Sequence, residues 1–239
     1  MNTIHPTAVI SADVELGTGN TIGPFAVIEG PVTVGDGNWI GAGVVIGCPP
    51  EVRSFPHPRE AGDPRGGGVV IGDRNTIREY AQIHQGWKSQ TRVGDDAFIM
   101  NQVYVAHDCT LEDGVTLASS VLLAGHVRVG AGANLGLGAS VHQFRTIGRG
   151  SMIGMGAVVT RDLPPYAKAF GSPAAVRGAN VIGMERSGVA EDVIRALTGL
   201  YAAGPQASAS AGATLEALGD PALAEAVDLW VRGRSAAAG

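Results

Sequence analysis

An aliphatic residue returns every six positions through most of this chain. The run begins at Ile4 and continues through Ile10, Leu16, Ile22, Ile28, Val34, Ile40 and Ile46. It resumes at Ile71, Ile77 and Ile83, and again at Val93, from where it holds phase for 67 residues to Val159. In none of these 23 hexads does a polar residue take the first position. An ordinary aliphatic-rich globular chain does not keep such phase, and a fixed six-residue period is the signature of a parallel β-helix. Three hexads close one 18-residue coil, so residues 18 apart lie one above the other, about 4.8 Å apart, the spacing of hydrogen-bonded strands. Composition agrees, with 5% aromatic residues and 36 glycines. A narrow prism repeats aliphatic side chains better than rings, and its sharp corners favour glycine.

The phase breaks twice. Residues about 48–69 hold five prolines, several charges and Gly66-Gly67-Gly68, which cannot continue a strand ladder, so a loop is expected there. A smaller excursion is expected near Ser89-Gln90-Thr91-Arg92. The repeat gives out at Asp162-Leu163-Pro164-Pro165-Tyr166. Val189, Val193, Ile194, Leu197, Leu200 and Tyr201 then mark one face of a helix. Leu215, Leu218, Leu223, Val227, Trp230 and Val231 predict one or two more. The expected division is a β-helix over 1–183, with the loop at about 48–69, and a helical region over 184–239.

Net charge is -5, which does not describe a general nucleic-acid binder. No apolar run approaches the ~18 residues of a membrane span, and Met1 to Pro6 show neither a basic region nor a signal core. Cys48 and Cys109 make no disulfide framework and read as buried thiols. A cytoplasmic location follows as the expectation.

His107 lies in the hexad opening at Val105, His126 in the one opening at Leu123, and His142 in the one opening at Val141. With a clean excursion at 89–92, His84 joins them one coil below Val105. Four of the six histidines then occupy successive coils of one face, and His5 and His57 stand apart. A histidine column offers general-base chemistry, because imidazole titrates near neutrality and takes a proton from a hydroxyl. It also offers ligands for zinc. Solvated surface histidines are the third reading.

The ordered segments Ile71-Gly72-Asp73-Arg74-Asn75-Thr76-Ile77-Arg78-Glu79, Ile83-His84, Ala106-His107-Asp108-Cys109-Thr110, Leu123-Ala124-Gly125-His126-Val127, Val141-His142-Gln143-Phe144 and Asp162-Leu163-Pro164-Pro165-Tyr166 closely resemble the UDP-N-acetylglucosamine O-acyltransferase family of lipid A biosynthesis. The resemblance covers about residues 4–200 and is strongest over 71–166. It implies a left-handed parallel β-helix, a homotrimer, and a helical C-terminal part. It implies transfer of a 3-hydroxyacyl group from acyl carrier protein to the sugar 3-hydroxyl, with no cofactor beyond the carrier's phosphopantetheine. By the same resemblance His107 is the general base, Asp108 its partner, and the Gly125 N–H the oxyanion donor. His84, His126, His142 and Gln143 would line the substrate sites, in a cleft between subunits. Met155 stands at the hydrocarbon-ruler position and implies a chain nearer ten carbons than fourteen. Asn180 and Arg186 match the nucleotide-contact pattern.

Some residues depart from the family pattern. Tyr104 stands three residues before His107, where many relatives carry histidine. Glu51 and Arg53 stand where Asp and Lys often contact the sugar. Ile182 and Ser187 replace a usual Glu and Arg. Arg145, Arg149, Arg161, Lys168 and Arg177 offer a basic landing surface for the acidic carrier protein. Three other readings stay open: an acyltransferase for a different nucleotide-linked amino sugar, a zinc carbonic anhydrase on the same scaffold, and a scaffold without catalysis. The histidine gaps of 23, 19 and 16 residues do not match the closely spaced ligand pair of the carbonic anhydrases.

Overall fold

The computed structural model describes residues 1–57, 66–204 and 220–231. The hexads fold as expected, into a left-handed parallel β-helix of about nine turns. Three sheets form its sides. The first runs from β1 (Thr3–Ile4) through every third strand to β22 (Met152–Ile153). The second runs from β2 (Val9–Ile10) to β23 (Val158–Val159), and the third from β3 (Val14–Leu16) to β21 (Thr146–Ile147). Each short strand pairs in parallel with the one a coil away.

The first residue of each hexad points into the prism. From Ile22 to Val159 none of these residues is more than 3% exposed. Burying each such side chain stabilises by roughly 1.5–3 kcal/mol. Ile4 in the first coil is 45% exposed, because it has a coil on one side only. Asn20, Asn38 and Asn75 are among the buried polar residues, stacked one coil above another. The Asn38 N–H donates to Asn20 Oδ1, the Asn75 N–H to Asn38 Oδ1, and the Ala97 N–H to Asn75 Oδ1. A buried amide is tolerated while the ladder satisfies it. At Ala97 the ladder stops, and Asn75 Nδ2 is left without a partner among the described residues.

The loop expected at 48–69 falls between β8 (Val45–Cys48) and β9 (Val69–Ile71), and residues 58–65 of it lie outside the described residues. The second excursion departs from its expected place. Thr91 and Arg92 belong to β12 (Thr91–Val93), paired with β9 and with β15 (Thr110–Leu111). The extra residues lie before them, at about 85–90. The phase shift between Ile83 and Val93 counts inserted residues but does not locate them.

Above β22 the chain adds β24 (Ala167–Gly171) to the first sheet and folds back as antiparallel β25 (Ala174–Ala179). Then come α1 (Val181–Arg186), α2 (Glu191–Ala203) and α3 (Pro221–Val231). Val193, Leu197 and Tyr201 of α2 are buried, as their period predicts. They form a second core with Met184, Leu223, Ala224 and Val227, and the Tyr201 hydroxyl donates to the Pro165 carbonyl. Leu215 and Leu218 lie outside the described residues. Cys109 is buried, Cys48 is half-buried, and both are free thiols. Among the described residues no helix is long and apolar enough to cross a membrane.

Candidate active site

The histidine column lies where the second sheet turns into the third. β11 (Gln82–His84), β14 (Tyr104–Val105), β17 (Leu122–Leu123) and β20 (Ser140–Val141) pair in register, Ile83 with Val105, Val105 with Leu123, and Leu123 with Val141. After each core residue, two residues turn the corner. The first of each pair runs His107, Gly125, Gln143, Arg161, and the second runs Asp108, His126, Phe144, Asp162, each 18 residues after the last. Asp108, His126 and Phe144 have left-handed backbones, with φ of 60°, 62° and 60°. On the neighbouring edge the equivalent place is taken by Gly43, Gly138 and Gly156 in three coils and by Phe25, Tyr80, Gln102 and Ser120 in other coils. A side chain held there costs of order 1 kcal/mol, and such residues gather at functional sites.

His107 Nδ1 donates to Asp108 Oδ2 at 2.7 Å. A carboxylate only accepts, so the proton sits on Nδ1 and the lone pair of the neutral ring sits on Nε2. The Asp108 side chain is fully buried and that of His107 is 15% exposed. Asp108 Oδ1 accepts the N–H groups of Trp87, Lys88 and Ser89 at 3.1, 2.8 and 2.6 Å, and the Ser89 hydroxyl at 3.0 Å. Burial alone would raise the pKa of this carboxyl. The hydrogen bonds from His107 and from the three backbone N–H groups outweigh burial and hold it below the usual carboxylate range.

His126 Nε2 lies 3.6 Å from the same Oδ2. Its ring meets His107 edge-on at 5.1 Å and stacks on Phe144 at 4.5 Å. Burial pushes the pKa of His126 down, and the Asp108 charge only partly offsets it. Gly125 closes the corner above His107. A Cβ there would sit 2.5 Å from His107 Cε1 and 2.6 Å from Nε2, so only glycine lets the ring lie flat against the edge. Among the described residues the Gly125 N–H makes no hydrogen bond.

The described part of the long loop folds over the second sheet beside this corner. His84 Nδ1 donates to the Pro49 carbonyl at 3.0 Å, and the Tyr104 hydroxyl donates to Glu51. His84 and Tyr104 rings lie 5.3 Å apart, and buried Phe55 meets Trp87 edge-on at 6.0 Å. Arg53 is exposed on the same loop.

The other expected site residues are spread more widely. His142 and Gln143 are exposed one coil above Gly125. Asn180 caps α1, accepting from the Gly183 N–H at 3.2 Å and donating to the Gly150 carbonyl at 2.9 Å. Arg186 is exposed in the last turn of that helix. Of the five basic residues, Arg145 and Arg161 stand on the histidine edge. Arg149 stands between the third and first sheets, paired with Asp220, and Lys168 and Arg177 lie on β24 and β25. Met155 lies between the first and second sheets, 76% exposed, with Leu137 one coil below it at 53%.

Sequence reasoning did not pick out the Trp87–Ser89 backbone, Phe144 or Leu137. The last two carry a signal in hindsight, since Phe144 lies 18 after His126 and Leu137 lies 18 before Met155. His107, Asp108 and His126 also offer ligand atoms within 4.8 Å of one another. Asp108 Oδ1 already accepts from four donors and Oδ2 from His107.

Comparison with known proteins places this arrangement. Residues 162–231 match the family model described as UDP N-acetylglucosamine O-acyltransferase, domain 2, and residues 90–125 match the bacterial transferase hexapeptide. An acyl-[acyl-carrier-protein]–UDP-N-acetylglucosamine O-acyltransferase of Burkholderia mallei is 39% identical over 136 residues, 56% of this chain and 52% of that protein. The chain thus aligns with about half the length of the curated relatives it matches. The solved UDP-N-acetylglucosamine acyltransferase of Francisella novicida is 30% identical with a TM-score of 0.75, over 98% of this chain and 92% of that one. The enzyme of the same name from Campylobacter jejuni is 27% identical with a TM-score of 0.80, over 98% of both chains. The chain belongs to the UDP-N-acetylglucosamine O-acyltransferase family.

Proposed function

We propose that this protein transfers a 3-hydroxyacyl group from acyl carrier protein to the 3-hydroxyl of UDP-N-acetylglucosamine. The observation that carries the reading is the His107–Asp108 pair, with Nδ1 tied to a buried carboxylate and Nε2 left to accept a proton. Nε2 takes the sugar hydroxyl proton as that oxygen attacks the thioester carbonyl. The Gly125 N–H donates to the oxyanion that forms, a contribution typically worth about 3 kcal/mol. As the tetrahedral intermediate collapses, the carbon–sulfur bond breaks, and the phosphopantetheine sulfur leaves with the proton from His107. The acyl group arrives on that carrier arm, so the reaction needs no resident cofactor or metal. The same reading places the protein in the cytoplasm.

The working unit in this reading is a homotrimer. His107 and Met155 stand on different edges of the prism, with the second sheet between them. An acyl chain whose thioester lies beside His107 then meets a Met155 supplied by a second copy. The second sheet is the side suited to pack against a copy. Its outward residues are Val9, Val27, Val45, Gln82, Tyr104, Leu122, Ser140 and Val158, mostly apolar, whereas the third sheet turns out Glu15, Thr33, Val70, Arg92, Thr110, Arg128 and Thr146. Met155 then closes the acyl track early and selects a chain near ten carbons. Arg145 and Arg161, on the same edge as His107, would receive the carrier protein.

The test is release of the carrier thiol, dependent on UDP-N-acetylglucosamine, by the wild type and by His107→Ala at equal trimer content. The expected loss in kcat is about 10²–10⁴-fold. Full activity in the variant contradicts the assignment. The Tyr104–Glu51 bond favours one second reading, a different nucleotide-linked amino sugar. A binding screen of sugar nucleotides separates the two.

A further inference from the structure

We propose that the excursion Gly86–Ser89 is the positioning device of the site, a backbone nest that fixes Asp108 so that one carboxylate oxygen alone faces the two imidazoles. The inference rests on the acyl-transfer reading for its kinetic consequence but not for its structural one. The repeat itself supplies no such device, since a regular coil has no residues to spare at this corner. The inserted residues turn three successive N–H groups, from Trp87, Lys88 and Ser89, onto Asp108 Oδ1. Consecutive N–H groups of this kind form an anion-binding concavity. Thr91, the first residue back in the ladder, accepts the Asp108 N–H at 2.9 Å and fixes the backbone of the same residue. Oδ2 is left for His107 at 2.7 Å and His126 at 3.6 Å.

The nest is held from outside the coil. Gly86 bridges to Gly68 at the end of the long loop, and the Gly86 N–H donates to the Gly68 carbonyl at 3.1 Å. Gly86 has no room for a side chain, because a Cβ there would overlap the Ser89 carbonyl oxygen and stand 3.1 Å from Asp108 Oδ1. Trp87 meets Phe55 of the loop that carries Glu51. The titratable groups around Asp108 are His107, His126 and the buried thiol of Cys109, whose pKa is raised by burial and by the Asp108 charge; Lys88 turns away, with Nζ 4.0 Å from the Trp87 ring.

Gly86→Ala opens the nest, Ser89→Ala removes one donor, and Ser89→Thr keeps the hydroxyl. The direct readout is the titration of the Asp108 carboxyl carbon by NMR in the substrate-free protein. Gly86→Ala should weaken the preference for carboxylate about tenfold, Ser89→Ala about threefold, and Ser89→Thr should restore wild-type behaviour. Unchanged Asp108 titration in folded Gly86→Ala overturns the proposal, whatever the enzyme's substrates are. With active substrates, kcat should fall about tenfold in Gly86→Ala while KM for the sugar nucleotide holds. A rise in KM at constant kcat overturns the positioning role and leaves the acyl-transfer reading in place. If Gly86→Ala does not fold, the Ser89 pair decides: equal titration in Ser89→Ala and Ser89→Thr overturns the proposal.

Discussion

The two edges that flank the second sheet share a backbone and differ in what they display. On one, successive coils present His107, Gly125 and Gln143, backed by Asp108, His126 and Phe144 in left-handed conformations. On the other, Leu137 and Met155 project 53% and 76% exposed above Ser119 and Asn101, and the left-handed places run Gln102, Ser120, Gly138 and Gly156. The core cannot tell these edges apart, because Leu123 and Leu135 are equally buried beneath them. The scaffold fixes the places and leaves their chemistry free. In the proposed trimer, the reactive edge of one copy meets the apolar edge of the next.

The largest effect that separates the edges should come at Gly125. Gly125→Ala drives a methyl into the His107 ring and should lower kcat about 10²–10³-fold, close to the loss of an oxyanion donor, with an unchanged oligomeric state. On the other edge Gly138→Ala, at the second corner residue, meets nothing within 4 Å, and its cost is limited to backbone strain of about 1 kcal/mol. Leu117→Ala strikes the core that both edges share. It should destabilise the protein by about 2–5 kcal/mol, read as a lower denaturant midpoint, without changing substrate preference.

Met155→Gly should move the preferred acyl chain to greater length with little change in kcat on the new substrate. A discrimination of about 10–200-fold between chain lengths is the scale expected of an apolar pocket. Loss of rate on every chain, with no new preference, would place Met155 in the packing and not in the site.

Asp108 sharpens the comparison through pH. Its native pKa is held below the unfolded value of about 3.9, so the stability it contributes is fully present above that pH and is lost as pH falls through the native pKa. Asp108→Asn should therefore lose most at neutral pH and approach the wild type in acid, as read by denaturant midpoints across the range. The smallest expected effect is that of a strong chelator, which should leave turnover unchanged. Loss of activity restored by zinc would turn the His107, Asp108 and His126 group into a metal site.

Much of this was legible in the sequence, for a reason that also sets its limit. A core position must be aliphatic in every coil, so the period wrote itself into residues such as Ile83, Val105 and Leu123, and their register followed. The histidines could be stacked by counting. The Asp108 nest could not be read, because backbone N–H groups carry no residue signature and the insertion was located a few residues late. The five basic residues lie in the last coils and the strands after them, but counting alone did not separate their edges: Arg145 and Arg149 are four residues apart, and that step crosses a sheet to the next edge. Asn180, read as a nucleotide contact, has both ends of its amide engaged in the fold.

The most direct test of the central claim is to give the purified protein 3-hydroxydecanoyl and 3-hydroxytetradecanoyl carrier protein together with UDP-N-acetylglucosamine, and to weigh the product. The account predicts one added acyl group per sugar nucleotide, drawn mainly from the ten-carbon donor. No acylated sugar nucleotide from either donor, with an intact trimer and a carrier that other enzymes accept, would contradict it.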